Sequence, residues 1–210
     1  NCPDMVSEYV CVDGDPEFFA YLDLNLAQLP NCRRILHQLS SGHRKERSLV
    51  RTHGGTASAQ GSTQVETAPL DDVFAANKVG PVDVLKIDVD GFDGEVLAGA
   101  SRILQEQQPS VIFEWHPILC VQTGNSWLRH FETLLAAGYD DLVWFDKFGI
   151  FSHFGRTNEF REIESMANFC LQSVTLQDWH FDVIAFPKGS SVDRMKLAEA
   201  AFANARRSSF

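Results

Sequence analysis

The sequence predicts an α/β domain: a mainly parallel sheet, helices on both faces, and an antiparallel strand near the C-terminus. Three observations predict it. Apolar, strand-like runs alternate with segments of helical periodicity through the first two-thirds of the chain. Residues 82–91, VDVLKIDVDG, form a buried-strand pattern that ends in two carboxylates and a glycine, with a helical pattern immediately after it. A hairpin pattern around Asp146-Lys147-Phe148-Gly149 and a late apolar run over 181–186 follow once the alternation has ended.

In chain order, residues 9–12 read as a short buried strand stopped by Asp13-Gly14-Asp15-Pro16. Proline suits the first turn of a helix, so a helix opens at Pro16. Phe18, Phe19, Leu22, Leu26 and Leu29 give it an apolar face, and Leu29-Pro30-Asn31 ends it. Residues 33–39 and 46–52 are predicted as a second and a third strand. The Gly/Ser/Thr-rich stretch 53–63 reads as a flexible loop by composition, with a loop folding over a site as the functional alternative. Val65-Glu66-Thr67 leads into a short helix over 70–77. After the central strand, one helix is expected from Phe92 to about Gln105. Residues 110–117, SVIFEWHP, are predicted as a further buried strand ending in polar residues. A helix over 126–137 places Trp127, Phe131, Leu134 and Leu135 on its inner face, and Gly138 caps it. The hairpin pairs 142–145 with 149–154, a helix covers 159–169, Pro187 stops the late strand, and 193–206 is an amphipathic terminal helix. With no internal repeat and no visible boundary, residues 1–210 read as a single domain.

Composition bounds the function. The balance of 18 Lys+Arg against 28 Asp+Glu gives −10, which argues against nucleic acid as the main partner. Solubility is the ordinary reason for such a charge. The five cysteines include no CxxC pair, and Cys11, Cys120 and Cys170 have apolar neighbours, so reduced, buried thiols are expected rather than disulfides or zinc. No apolar run is long enough to span a bilayer and no signal-peptide pattern opens the chain. A cytoplasmic protein without a membrane partner is expected. Asn1 is not an initiator and a strand follows almost at once, so residue 1 is expected not to be the native beginning.

Three constellations carry chemistry. Asp13, at the tip of an early parallel strand, has two acceptor oxygens with which to hold both hydroxyls of a ribose; the alternative is helix capping, which is assigned instead to Asp15. Alternation puts Lys86, Asp88 and Asp90 on one side of the central strand. A charged Lys86 within an apolar strand needs a nearby partner, and Asp88 is the natural one. The pair is either a structural ion pair or the wall of a site with a carboxylate available as base or metal ligand. Asp88-Val89-Asp90 is also a DxD, a weak signal that in some glycosyltransferases holds a metal and a nucleotide diphosphate. A calcium loop is excluded, because Phe92 and Gly99 stand where an oxygen ligand and a glutamate are required. Glu114 and His116, at the end of the neighbouring strand, are placed to face the same cleft as Asp88. His116 is either a near-neutral base or a satisfied histidine before a proline turn.

Taken in order, these stretches resemble the FkbM-like S-adenosylmethionine-dependent methyltransferases. Val12-Asp13-Gly14-Asp15-Pro16, Leu24-Asn25-Leu26 with Asn31, and Thr67 to Asp72 resemble the family's early motifs. Leu85-Lys86-Ile87-Asp88-Val89-Asp90-Gly91, with Glu95-Val96-Leu97 and Gly99-Ala100, resembles its signature segment, with Asp90 where glutamate is commoner. Ile112 to Pro117, Gly138-Tyr139 and Phe181 to Pro187 complete the likeness over nearly the whole chain. The resemblance implies a Rossmann-like class I methyltransferase sheet and transfer of a methyl group to a hydroxyl of a sugar or other small metabolite. It implies S-adenosyl-L-methionine as cofactor, with Asp13 on its ribose, Ser40 near its adenine and Asp88 alongside. Asp88, Glu114 and His116 then ring the acceptor in one crevice, His116 or Asp88 takes the proton, Lys86 holds the carboxylates, and no metal is assigned. One departure stands out. The family's glycine-rich cofactor strand should precede Asp13, and nothing here matches it. An N-terminally incomplete domain is expected; a degenerate, non-catalytic member and a DxD-using metal-dependent glycosyltransferase are the alternatives.

Overall fold

A computed structural model of the protein describes residues 6–51, 57, 58, 60–172 and 179–207. The chain divides into two compact units, residues 1–80 and 81–210.

In the first unit, β1 (Tyr9–Asp13) pairs in parallel with β2 (Cys32–Leu36), and α1 (Pro16–Asn25) connects them. Val10, Val12, Leu39 and Val79 pack on a small core of Ile35, Ala68 and Val73, the last from α2 (Leu70–Ala76). Asp15 caps α1 as expected, its Oδ1 accepting from the Glu17 and Phe18 N–H groups at 2.7 and 3.4 Å. The helix is shorter than its apolar spacing suggests. It stops at Asn25, no residue in it is buried, and the chain continues in tighter turns, with the Leu29 N–H donating to the Leu26 carbonyl. The second strand is also shorter than predicted, ending at Leu36. The predicted third strand is two strands, because the partner changes near Ser48. β3 (Arg44–Arg47) pairs with β6 (Gln64–Thr67), and β4 (Val50–Arg51) with β5 (Ala57–Ser58), all antiparallel. Within the predicted 53–63 loop, Ala57 and Ser58 form β5, while residues 53–56 and 59 lie outside the described residues.

The second unit is built on a five-stranded sheet of order β10-β9-β11-β8-β7. Here β7 is Val84–Ile87, β8 Ser110–Trp115, β9 Tyr139–Asp146, β10 Phe151–Arg156 and β11 Phe181–Pro187. β7 and β8 are parallel, whereas β11 runs antiparallel to both β8 and β9. β7, β8 and β9 therefore share one direction; the late strand is antiparallel, as the sequence predicts, and lies between β8 and β9. β9 and β10 form the expected hairpin.

Both faces of this sheet carry helices. α6 (Arg129–Ala136) brings Phe131 to within 5.5–5.9 Å, centroid to centroid, of Phe113, Trp115 and Trp144. Leu197 and Ala201 of α8 (Arg194–Arg207) pack on Val143, Phe145, Ile184 and Phe186, which point the other way along the same strands. Two predicted elements need correction. The helix expected over 92–105 is two, α3 (Asp93–Ala98) and α4 (Ser101–Glu106), parted at Gly99-Ala100, where glycine weakens the helix. The strand expected to run to Pro117 stops at Trp115, and Pro117 opens an additional helix, α5 (Pro117–Thr123), closed by Gly124 in the left-handed region. α6 starts at Arg129, so Trp127 precedes it, and Leu135 is exposed rather than inward. The predicted helix over 159–169 extends as α7 (Phe160–Gln172).

Candidate active site

The two groups of predicted site residues fall in different units: Asp13 and Ser40 in the first, Lys86, Asp88, Glu114 and His116 in the second. In the first, Asp13 ends β1, half-buried, and its Oδ1 accepts the Asp15 N–H at 2.8 Å. Ser40 follows β2 and is buried. Its hydroxyl lies 2.5 Å from the Gly42 carbonyl and 2.8 Å from Thr67 Oγ1. The side chain thus pins the chain just beyond β2, where the Ser40 N–H also donates to the Ala68 carbonyl at 3.1 Å.

The second group converges. Register places Lys86 beside Ile112 and Glu114 beside Asp182, all on the sheet face that also carries Ile184. Lys86 Nζ lies 2.6 Å from Asp88 Oδ2, and both side chains are more than half exposed. Burial works against the Lys86 charge, but the hydrogen bond to Asp88 and the charges of Asp88, Asp182 and Glu114 outweigh it and raise its pKa. Glu114 is far less exposed. Burial first, then the charges of Asp88, Asp93, Asp90 and Asp182, push its carboxyl up to about 8. His180, just before β11, sets Nε2 3.3 Å from Glu114 Oε1 and stacks on the His116 ring at 5.3 Å. His116 is buried at the N-cap of α5, where Nδ1 accepts the Leu119 N–H at 3.4 Å. It therefore faces the same cluster as Glu114, but as a capping group with one nitrogen engaged.

The turn that carries Asp88 is fixed from below. Asp93, at the start of α3, is almost wholly buried and accepts the Val89 and Gly91 N–H groups at 3.3 and 3.2 Å. Burial, opposed in part by these bonds, lifts its carboxyl to about 7. Asp90 adopts φ +52, a left-handed conformation that aspartate tolerates. Gly91, at φ +86, brings its backbone against α5: a Cβ there would lie 2.6 Å from the Leu119 carbonyl carbon. Thr123 Oγ1 and Asn125 Nδ2 donate to its carbonyl at 3.3 and 2.9 Å.

Asp182, His180 and Asp93 were not read from the sequence as site residues. Asp182 carries the same signal as Lys86, a charge within an apolar strand. Asp93 has none, because an acid in the first turn of a helix is ordinary.

An α/β domain with Asp88 and Glu114 toward the carboxyl ends of two adjacent parallel strands, met by His180 and Asp182 from the start of an antiparallel one, belongs to the class of open-sheet proteins that act at strand ends. Its family is more specific. The chain belongs to the methyltransferase FkbM domain family, whose model matches residues 6–140, well over half of its length. Among solved structures, it is similar to the methyltransferase FkbM from Methylobacillus flagellatus KT, with 11% identity and a TM-score of 0.37. That alignment covers 85% of this chain and 36% of the other, so the chain spans little more than a third of that protein. No curated protein matches the chain. Membership of a methyltransferase family favours methyl-transfer chemistry over the DxD glycosyltransferase alternative, and Asp88, the first acid of that motif, is paired with Lys86. Among the described residues, no helix is long and apolar enough to cross a membrane. The four described cysteines, Cys11, Cys32, Cys120 and Cys170, are free thiols, the last two buried.

Proposed function

We propose that this domain methylates a hydroxyl oxygen of a sugar or other small metabolite, with S-adenosyl-L-methionine as donor, in the reducing cytoplasm and without nucleic acid or metal. Family membership supports methyl transfer; the observation that carries the acceptor side is the cluster of Lys86, Asp88, Glu114 and Asp182 at the ends of β7, β8 and β11. S-adenosyl-L-methionine, when bound, supplies an electrophilic methyl carbon on a sulfonium sulfur. The chain's residues fit its nucleoside end. Asp13 is a half-buried carboxylate at a parallel strand's carboxyl end, suited to ribose hydroxyls, and Ser40, just beyond the parallel partner β2, is assigned beside the adenine.

On the acceptor side, an alcohol is a weak nucleophile at neutral pH and needs a group to take its proton. Asp88 is that group: it is exposed at a strand end and held by Lys86. Glu114 accepts a second hydrogen bond from the acceptor or its neighbour, and His116 caps the start of α5. With the donor bound, the hydroxyl oxygen would form a bond to the methyl carbon as the methyl–sulfur bond breaks and S-adenosylhomocysteine leaves, the hydroxyl proton passing to Asp88 and from there to solvent.

The test is transfer of labelled methyl from S-adenosyl-L-methionine to a panel of sugar and polyol acceptors by the intact protein. Removing a proton acceptor typically costs 10²–10⁴-fold in rate. Asp88→Ala is therefore expected to lower turnover by at least about 100-fold, and Glu114→Ala and His116→Ala by less. Unchanged turnover in all three variants would remove the site.

A further inference from the structure

We infer that His180 is a positioning residue of this site, which shares a proton with Glu114 and so sets the charge that the carboxylate cluster presents. The inference rests on the reading of the cluster as the acceptor site, and it concerns a residue to which that reading gives no role.

His180 Nε2 lies 3.3 Å from Glu114 Oε1, and the two side chains are only 19% and 15% exposed. The other ring nitrogen, Nδ1, is buried. An imidazole whose one nitrogen faces a carboxylate and whose other is sealed from solvent does not itself meet an acceptor. It acts through Glu114. One ring face is further fixed by the stack on His116, at 5.3 Å and 28° between planes, and His116 is in turn fixed by its cap on α5. The histidine is therefore held with few rotamers open to it.

The charges around the pair say why a partner is needed. Glu114 faces Asp88 and Lys86 from β7 and the turn after it, Asp90 and Asp93 from that turn and α3, and Asp182 from β11; His116 and Cys120 lie on the α5 side. Four carboxylates thus act on a fifth that is largely desolvated. One Lys86 cation, 2.6 Å from Asp88, is already committed to another acid. Two groups that interact strongly within such a cluster titrate as a pair, and a cation within about 4–6 Å of a carboxylate lowers its pKa by roughly 1–3 units. His180 also favours the ionised form of Asp182, its neighbour but one on the same strand. An imidazole can donate to an ionised carboxylate or accept from a protonated one, so His180 lets Glu114 hold or release a proton without leaving a bare buried charge.

The test reads titration directly and then activity. In the intact protein, carboxyl-carbon NMR of Glu114 and imidazole NMR of His180 give their midpoints. In His180→Gln, the Glu114 midpoint is expected to rise by about 1 pH unit or more, and the acidic limb of kcat/KM to move up by the same amount. In Glu114→Gln, the His180 midpoint is expected to fall; this second variant decides the matter should His180→Gln fold poorly. A Glu114 midpoint that does not move, or one that moves while the pH–rate limb stays put, overturns the inference. If the unaltered protein transfers methyl to no acceptor, the functional reading fails on its own account, and the NMR midpoints still decide whether the pair shares a proton.

Discussion

At the scale of single residues, the second unit spends its charge unevenly. Lys86 and Asp88 form a well-formed but exposed pair, and such pairs contribute roughly 0–1 kcal/mol to stability. The Lys86→Met variant is accordingly expected to unfold at nearly the same denaturant concentration as the parent, while its methyl-transfer rate drops about tenfold or more as Asp88 loses its orientation. A matched loss of stability and rate would make the pair structural. His130 is the opposite case. It is fully buried and stacks on Phe113 at 5.3 Å, and its ring nitrogens make no more than a poorly aligned contact with the Trp127 backbone. Burial lowers its pKa to about 4. A histidine neutral in the fold and able to charge when unfolded contributes stability that is full above about pH 6.5 and is lost as pH falls toward about 4. That loss is on the order of 3 kcal/mol. Unpaired buried polar groups cost about 1–3 kcal/mol, against about 0.5–1.5 for a lost ring stack, so His130→Leu is expected to stabilise by about 1 kcal/mol at pH 7 and by more at pH 5. Thermal unfolding at the two pH values checks both the sign and the trend.

At the scale of elements, the site depends on the turn between β7 and α3. Asp93 closes it from inside, Gly91 lets it lie against α5, and Thr123 and Asn125 fasten it to the end of that helix. Gly91→Ala combines a left-handed backbone, at roughly 1–2 kcal/mol, with a clash against packed backbone, at roughly 1–3. A loss of about 2–4 kcal/mol in urea unfolding is expected, with a fall in turnover even where the variant stays folded. A cost under about 1 kcal/mol would show that the turn yields. This scale also shows what the sequence reveals. Lys86, Asp88 and Glu114 were legible because a charge among Val, Leu, Ile and Phe in an alternating pattern has to be answered by a neighbour. The antiparallel entry of β11 was legible because the β9–β10 hairpin reverses the chain once and breaks the strand–helix alternation before it. Pro117 was misread because Glu114-Trp115-His116 looked like a strand dissolving into a loop. Yet proline at a first helical position, the argument that placed α1, applies there equally. His180 could not be found by spacing: its partner stands 66 positions away, and only the antiparallel register of β8 and β11 sets them side by side. The break in the predicted third strand was hidden for the same reason, since it follows from a change of partner and not from the residues themselves.

At the scale of the whole molecule, two compact units divide the assigned roles: the first holds the residues assigned to the nucleoside, the second those assigned to the acceptor. The resemblance read from the motifs and the match of the family model over residues 6–140 agree on the family, and the central claim that follows is use of S-adenosyl-L-methionine. Calorimetric titration of the intact protein with S-adenosylhomocysteine, the product of every such transfer, tests it most directly. Saturable one-to-one binding is the predicted result, weakened about 10–100-fold in Asp13→Ala, the range expected when a hydrogen bond to a charged group is lost. Absence of binding, or equal affinity in the unaltered protein and the Asp13→Ala variant, would contradict it.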